Sequence, residues 1–130
     1  MSDLSADVVF CDDIRQEITG KFIFIGVYPG DLVPGLLPAA FPMGMFVRVH
    51  GLPEGTHHFH LTLAFEDGAT VFEQEGEAQI HASDLPMVLI FSGFPVQVER
   101  HGKLQVKLKV AEHTLLAGQL KIVAPPQVNA

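Results

Sequence analysis

The residues best suited to chemistry in this sequence are its seven histidines. His58 and His60 alternate with Phe59 and Leu61, so on an extended chain both imidazoles leave the same face. If residues 45–50 and 57–66 pair through Gly51-Leu52-Pro53-Glu54-Gly55, Val49 and Phe59 face inward and His50 lies opposite His58, with Arg48 opposite His60. Across the next turn, Glu66-Asp67-Gly68, pairing Leu63 with Phe72 sets Glu75 opposite His60 and Glu77 beside His58. Cross-strand neighbours stand about 5 Å apart, so His50, His58, His60 and Glu75 form a candidate set for zinc or another divalent metal. The same residues also make an ordinary solvated face, whose opposite charges pair between strands for at most about 1 kcal/mol each.

The run Gly51, His58-x-His60, Glu66 resembles the metal motif of the cupins. It departs from it in two ways. The gaps from Gly51 to His58 and from His60 to Glu66 are longer than the family's. Cupin ligands also face a barrel interior, the side taken here by Phe59, Leu61, Leu63 and Phe65. His57, His81, His101 and His113 fall in turns or at strand ends.

A second constellation is Cys11-Asp12-Asp13-Ile14-Arg15-Gln16-Glu17. Asp12, Asp13 and Glu17 offer oxygen atoms to calcium, but Arg15 in their midst opposes a dication. The competing reading pairs Arg15 with one carboxylate and turns Asp12 or Asp13 onto backbone N–H groups at a strand end. Cys11 is the only cysteine, which excludes an internal disulfide and a Cys-based zinc site. The two carboxylates after it raise a thiol's pKa, so it reads as a buried structural residue. No Gly-x-Ser-x-Gly elbow, Walker loop or dinucleotide fingerprint occurs, and beyond the first five residues only Ser83 and Ser92 are serines. No catalytic residue is assigned, and an enzyme is the less favoured class. With no Trp and one Tyr, stacking platforms for sugars or bases are poorly supplied.

The 130 residues suffice for one domain, 1–130, with a real core. Eight Lys+Arg stand against 15 Asp+Glu, a net charge of −7 with no basic cluster, which argues against nucleic acid or an anionic membrane as partner. The N-terminus lacks a basic and apolar leader, and no run approaches the ~20 apolar residues of a membrane helix, so the expected location is the cytoplasm. Hydrophobic spacing is mostly period two. Strands are expected near 6–13, 21–28, 45–50, 57–66, 70–75, 78–82, 87–91, 95–99, 103–110 and 114–123, with turns at Arg100-His101-Gly102 and Glu112-His113-Thr114. Ile14–Ile18 offers at most one helical turn, stopped by Thr19-Gly20. This spacing predicts an all-β fold, an antiparallel, immunoglobulin-like β-sandwich. The exception is Tyr28–Gly44, with Pro29, Pro34, Pro38 and Pro42, expected to be a long Pro-rich loop because proline cannot donate to a ladder. Its apolar Leu32, Val33, Leu36, Leu37 and Phe41 either cap one end of the sandwich or bind a partner.

The stretch Phe10-Cys11-Asp12-Asp13-Ile14-Arg15-Gln16-Glu17, then Gly20-Lys21 and Ile25-Gly26-Val27-Tyr28, resembles the N-terminal pattern of a family of small uncharacterised bacterial proteins. The resemblance is sharpest over residues 8–28. It implies a bacterial or phage-related β protein without a catalytic residue, in which Asp12, Asp13, Arg15, Glu17 and Lys21 mark either a structural corner or a binding edge. The expected function is a non-enzymatic binding or assembly module for a protein partner or a second copy. The alternative is a metal-binding or metal-dependent, cupin-like protein using the outward histidines. That divalent metal is the sole cofactor considered.

Overall fold

A computed structural model describes residues 4–34 and 36–123. Its strands are β1 (Ser5–Gln16), β2 (Phe22–Val27), β3 (Asp31–Leu32), β4 (Ala39–His50), β5 (Gly55–Phe65), β6 (Thr70–Ile80), β7 (Met87–Val98), β8 (Gly102–Val110) and β9 (His113–Ile122). They form two sheets, β2-β1-β4-β7 and β3-β9-β8-β5-β6, antiparallel throughout except that β3 runs parallel to β9. Leaving β2 and β3 aside, β1-β4-β7 faces β9-β8-β5-β6. The chain changes sheet at β4–β5, β6–β7 and β7–β8, which is the Greek-key connectivity of an immunoglobulin-like sandwich. Period-two alternation builds the core: Phe59, Leu61, Leu63 and Phe65 of β5 and Leu104, Val106, Leu108 and Val110 of β8 are all buried against Met45, Val47 and Val49 of β4. On the open side between β6 and β7, Phe72 stacks on Phe94 at 4.1 Å and meets Phe91 edge-on at 5.6 Å. Among the described residues, no helix is long and apolar enough to cross a membrane.

Several expectations are corrected by packing. Residues 45–50 and 57–66 do not form a hairpin, because β4 and β5 belong to different sheets. The link between them buries Leu52 in the core, so it dives between layers instead of turning within one. β6 and β7 are each one strand where two were expected. In β7 the inward residues switch from Met87, Leu89 to Phe94, Val96, Val98 across a bulge at Ser92–Gly93, with Gly93 at φ +70°. In β6 the apparent break at Gly76 is a vacancy filled by Phe59, whose ring atom Cζ lies 3.3 Å from where a Cβ would stand.

The Pro-rich loop is shorter than expected, since β4 begins at Ala39 and runs through Pro42. Pro42 lies opposite Pro95, beyond the reach of β1, whose pairing with β4 ends at Gly44. Two prolines fit there at a non-hydrogen-bonded site, where neither missing N–H would point at the other strand. A bulge opposite Val106 and Lys107 turns Leu116 outward, against its expected place in the core with Leu120 and Ile122. The β8–β9 turn is Ala111-Glu112, one residue ahead of the expected position, with both residues at positive φ. Ile14–Ile18 has no helical turn, because β1 continues to Gln16.

Candidate functional site

The most distinctive local structure is a hairpin arm made from the second half of β1 and β2. Residues Ser5–Cys11 pair with β4, and from Cys11 onward β1 pairs with β2 instead. Gly44 lies at the changeover. A Cβ there would stand 3.1 Å from Ile14 Cγ1 and 3.2 Å from Cys11 Sγ, so the absence of a side chain lets β1 cross over β4. The arm then folds back on the outer face of the first sheet. Phe22 and Phe24 place their rings 5.7 and 5.0 Å from that of Phe46, and Cys11 and Ile14 are buried there, outside the main core. Ser92 of β7 fastens the crossing: its Oγ accepts the Ile14 N–H at 3.4 Å and lies 3.2 Å from both the Ile14 carbonyl and Asp13 Oδ1.

The charged residues of the arm are spent on holding it. Tyr28 donates its phenol to Asp12 at 2.5 Å; burial, then Asp12, push its pKa well above the usual value. Gly26 has φ +68°, and a Cβ there would collide with the Asp12 carboxylate. Asp13 accepts from Arg15 Nε and from the Ile14 N–H, both at 2.9 Å, and Arg15, then Ser92, hold its carboxyl below the ordinary range. Lys21 pairs with Glu17 at 3.5 Å across the tip, where the Glu17 N–H donates to the Lys21 carbonyl at 2.7 Å. The pairing of Arg15 with a carboxylate is thus as expected, and Asp12, Asp13 and Glu17 each face a different partner instead of one shared ion. Burial, then Asp12, push the Cys11 thiol up, which keeps it an unreactive packing residue. Beside its exposed charged groups the arm also leaves apolar side chains in solvent: Ile18 at its tip is fully exposed, and Ile23, Ile25 and Val27 are 44%, 45% and 52% exposed.

On the outer face of the second sheet, the register is the expected one: Leu63 opposite Phe72, His60 opposite Glu75, His58 opposite Glu77. The side chains, however, lean diagonally. His58 Nε2 lies 3.5 Å from Glu75 and His60 Nε2 2.8 Å from Glu73. His50 is on the first sheet, opposite Ser5, so the structure does not bring His50, His58, His60 and Glu75 together. Among the described residues, no three His, Cys, Asp or Glu are grouped as a metal site. The physical reason is the dive of residues 51–54 between layers, which puts His50 and His58 on opposite outsides of the sandwich.

The partner-binding candidates of the Pro-rich segment also divide. Leu32 is buried in the core as part of β3, so of its two expected roles it takes the packing one and is corrected as a partner-binding residue. Leu37 and Phe41 pack partly against the core, while Val33 and Leu36 remain 53% and 77% exposed. A cleft of about 590 Å³ lies between Phe65, Thr70, Val96 and Arg100. Arg100 there is already engaged, stacked 4.7 Å over the Phe65 ring and ion-paired with Asp67.

The arm was not foreseen from sequence, where residues 21–28 read as one more strand. The available signal was Phe22-Ile23-Phe24-Ile25, apolar at four successive positions, which means that neither side of the strand is designed for water alone. A comparison with protein families matches residues 6–123 to a family of unknown function (DUF6941), and the chain belongs to that family. A comparison with curated proteins finds no match.

Proposed function

We propose that this member of the family is a non-enzymatic binding module that docks a protein partner through the hairpin arm. The observation that supports this is the combination of rigid anchoring and apolar exposure. Ser92 holding Ile14 and Asp13, Tyr28 holding Asp12, and the Phe22–Phe24–Phe46 cluster fix the arm, yet Ile18, Ile23, Ile25 and Val27 face water. A preorganised apolar ridge binds with little ordering cost, which is what a docking surface needs. Burying Ile23 and Ile25 alone would contribute on the order of 2 kcal/mol, since each is already about half covered. The expected location is intracellular and the expected partner a protein.

The test is native mass spectrometry of the chain purified from its own host. The wild-type chain should carry a second protein in fixed stoichiometry, and Ile23→Lys with Ile25→Lys should lose it while melting at the wild-type temperature. A wild-type chain without a bound protein, or a variant that keeps it, refutes the assignment.

A further inference from the structure

The outer face of the second sheet is banded by charge. β6 presents Glu73, Glu75 and Glu77, all exposed. β5 presents His58, His60 and Thr62 beside it, and β8 presents Lys107 and Lys109 on the far side. The register puts these into straight rows, Glu73–Thr62–Lys107 and Glu75–His60–Lys109. We infer that this face is the contact between two copies of the chain, related by a two-fold axis that runs along β5.

The face is self-complementary in charge. Two such faces can meet with the axis across the strands or along them. Across the strands, β6 lies on β6 of the other copy and glutamates oppose glutamates. Along β5, each copy's β6 lies on the other's β8 and every row is kept at its own level. Glu73 then faces the partner's Lys107 and Glu75 the partner's Lys109, four opposite-charge pairs in all, because a two-fold contact repeats each one. Between the glutamate and lysine bands lie Thr62 and the His58 and His60 imidazoles. The contact is small: with the axis along β5 only β6, β5 and β8 overlap between the copies, which at ~4.8 Å spacing and ~10 residues of ~3.3 Å each is roughly 480 Å² per copy. A standard stable interface takes about 800 Å² per partner, so the dimer is weak and salt-sensitive. The arm lies on the other sheet, so a dimer made this way would present two arms facing away from each other.

The experiment is sedimentation equilibrium of the chain alone and of two charge-reversed variants, Glu73→Lys with Glu75→Lys, and Lys107→Glu with Lys109→Glu. The wild type should dimerise reversibly at low salt. Each variant alone places like charges in all four pairs, and its dissociation constant should rise about a hundredfold or more. Mixed one to one, the variants should recover dimers, since each supplies what the other lacks. A wild type that stays monomeric at all concentrations, or variants that dimerise as well alone as mixed, overturns the inference. Neither outcome touches the arm, whose own test reads the loss of a different protein.

Discussion

Gly44→Ala is the substitution that tests the crossing of β1 over β4. Gly44 carries no φ penalty against alanine, so the effect is purely one of space. The new methyl would stand 3.1 and 3.3 Å from Ile14 Cγ1 and Cδ1 and 3.2 Å from Cys11 Sγ. Apolar contacts are comfortable at about 3.5–4.0 Å, so three atoms must retreat by several tenths of an ångström. Both neighbours are buried, which leaves little room for that. Overpacking of this kind costs about 1–3 kcal/mol. Replacing glycine stiffens the unfolded chain and offsets about 0.4–1 kcal/mol of it. The net is about 1–2 kcal/mol, a fall in Tm of about 3–8 °C for a domain of this size, read by circular dichroism. Cys11→Ala removes the sulfur that the methyl meets, so the double variant Cys11→Ala with Gly44→Ala should be more stable than the sum of the two singles predicts, by about 1 kcal/mol. If Gly44→Ala leaves Tm unchanged or raises it, or if the two substitutions simply add, the arm is not seated on Gly44 as described.

The β8–β9 turn places Ala111 at φ +51° and Glu112 at φ +65°. Each such residue costs about 1–2 kcal/mol, so Ala111→Asn with Glu112→Gly should raise the urea midpoint by about 1 kcal/mol of stability at unchanged m; a lower midpoint would contradict the turn geometry. Asp13 has its folded pKa held below the ordinary carboxylate value, so its contribution is present above about pH 4 and is lost as pH falls through the folded value. Asp13→Asn should therefore flatten the fall of Tm below about pH 4 while leaving the neutral side level; parallel acid limbs would show that Arg15 and Ser92 do not stabilise this carboxylate.

How much of this was readable in advance depends on the range of the interaction. The Asp67-Gly68 hairpin and the pairing of His58 with Glu77 and His60 with Glu75 followed from a short turn and period-two alternation, both local properties. The same reasoning failed at Gly51–Glu54, because whether a link turns within a sheet or dives between sheets depends on where Leu52 finds burial, and that is a property of the whole core. It failed again where alternation itself breaks. The bulges in β7 and β9 look in sequence like the ends of strands, since one extra residue moves the apolar parity to the other face.

Sequence alone determined the all-β sandwich with Phe59, Leu61, Leu63, Phe65, Leu104, Val106, Leu108 and Val110 inside, since period-two burial leaves each of these strands one way to face. It also foresaw that Arg15 neutralises a neighbouring carboxylate and that Cys11 is buried. Only the tertiary structure decided that His50 stands apart from His58, that Leu32 belongs to the core, and that residues 11–27 fold back over Gly44 to expose Ile23 and Ile25. Those outcomes rest on contacts between residues 30 or more apart, such as Cys11 with Gly44 and Ile14 with Ser92, whose pairing no local spacing encodes.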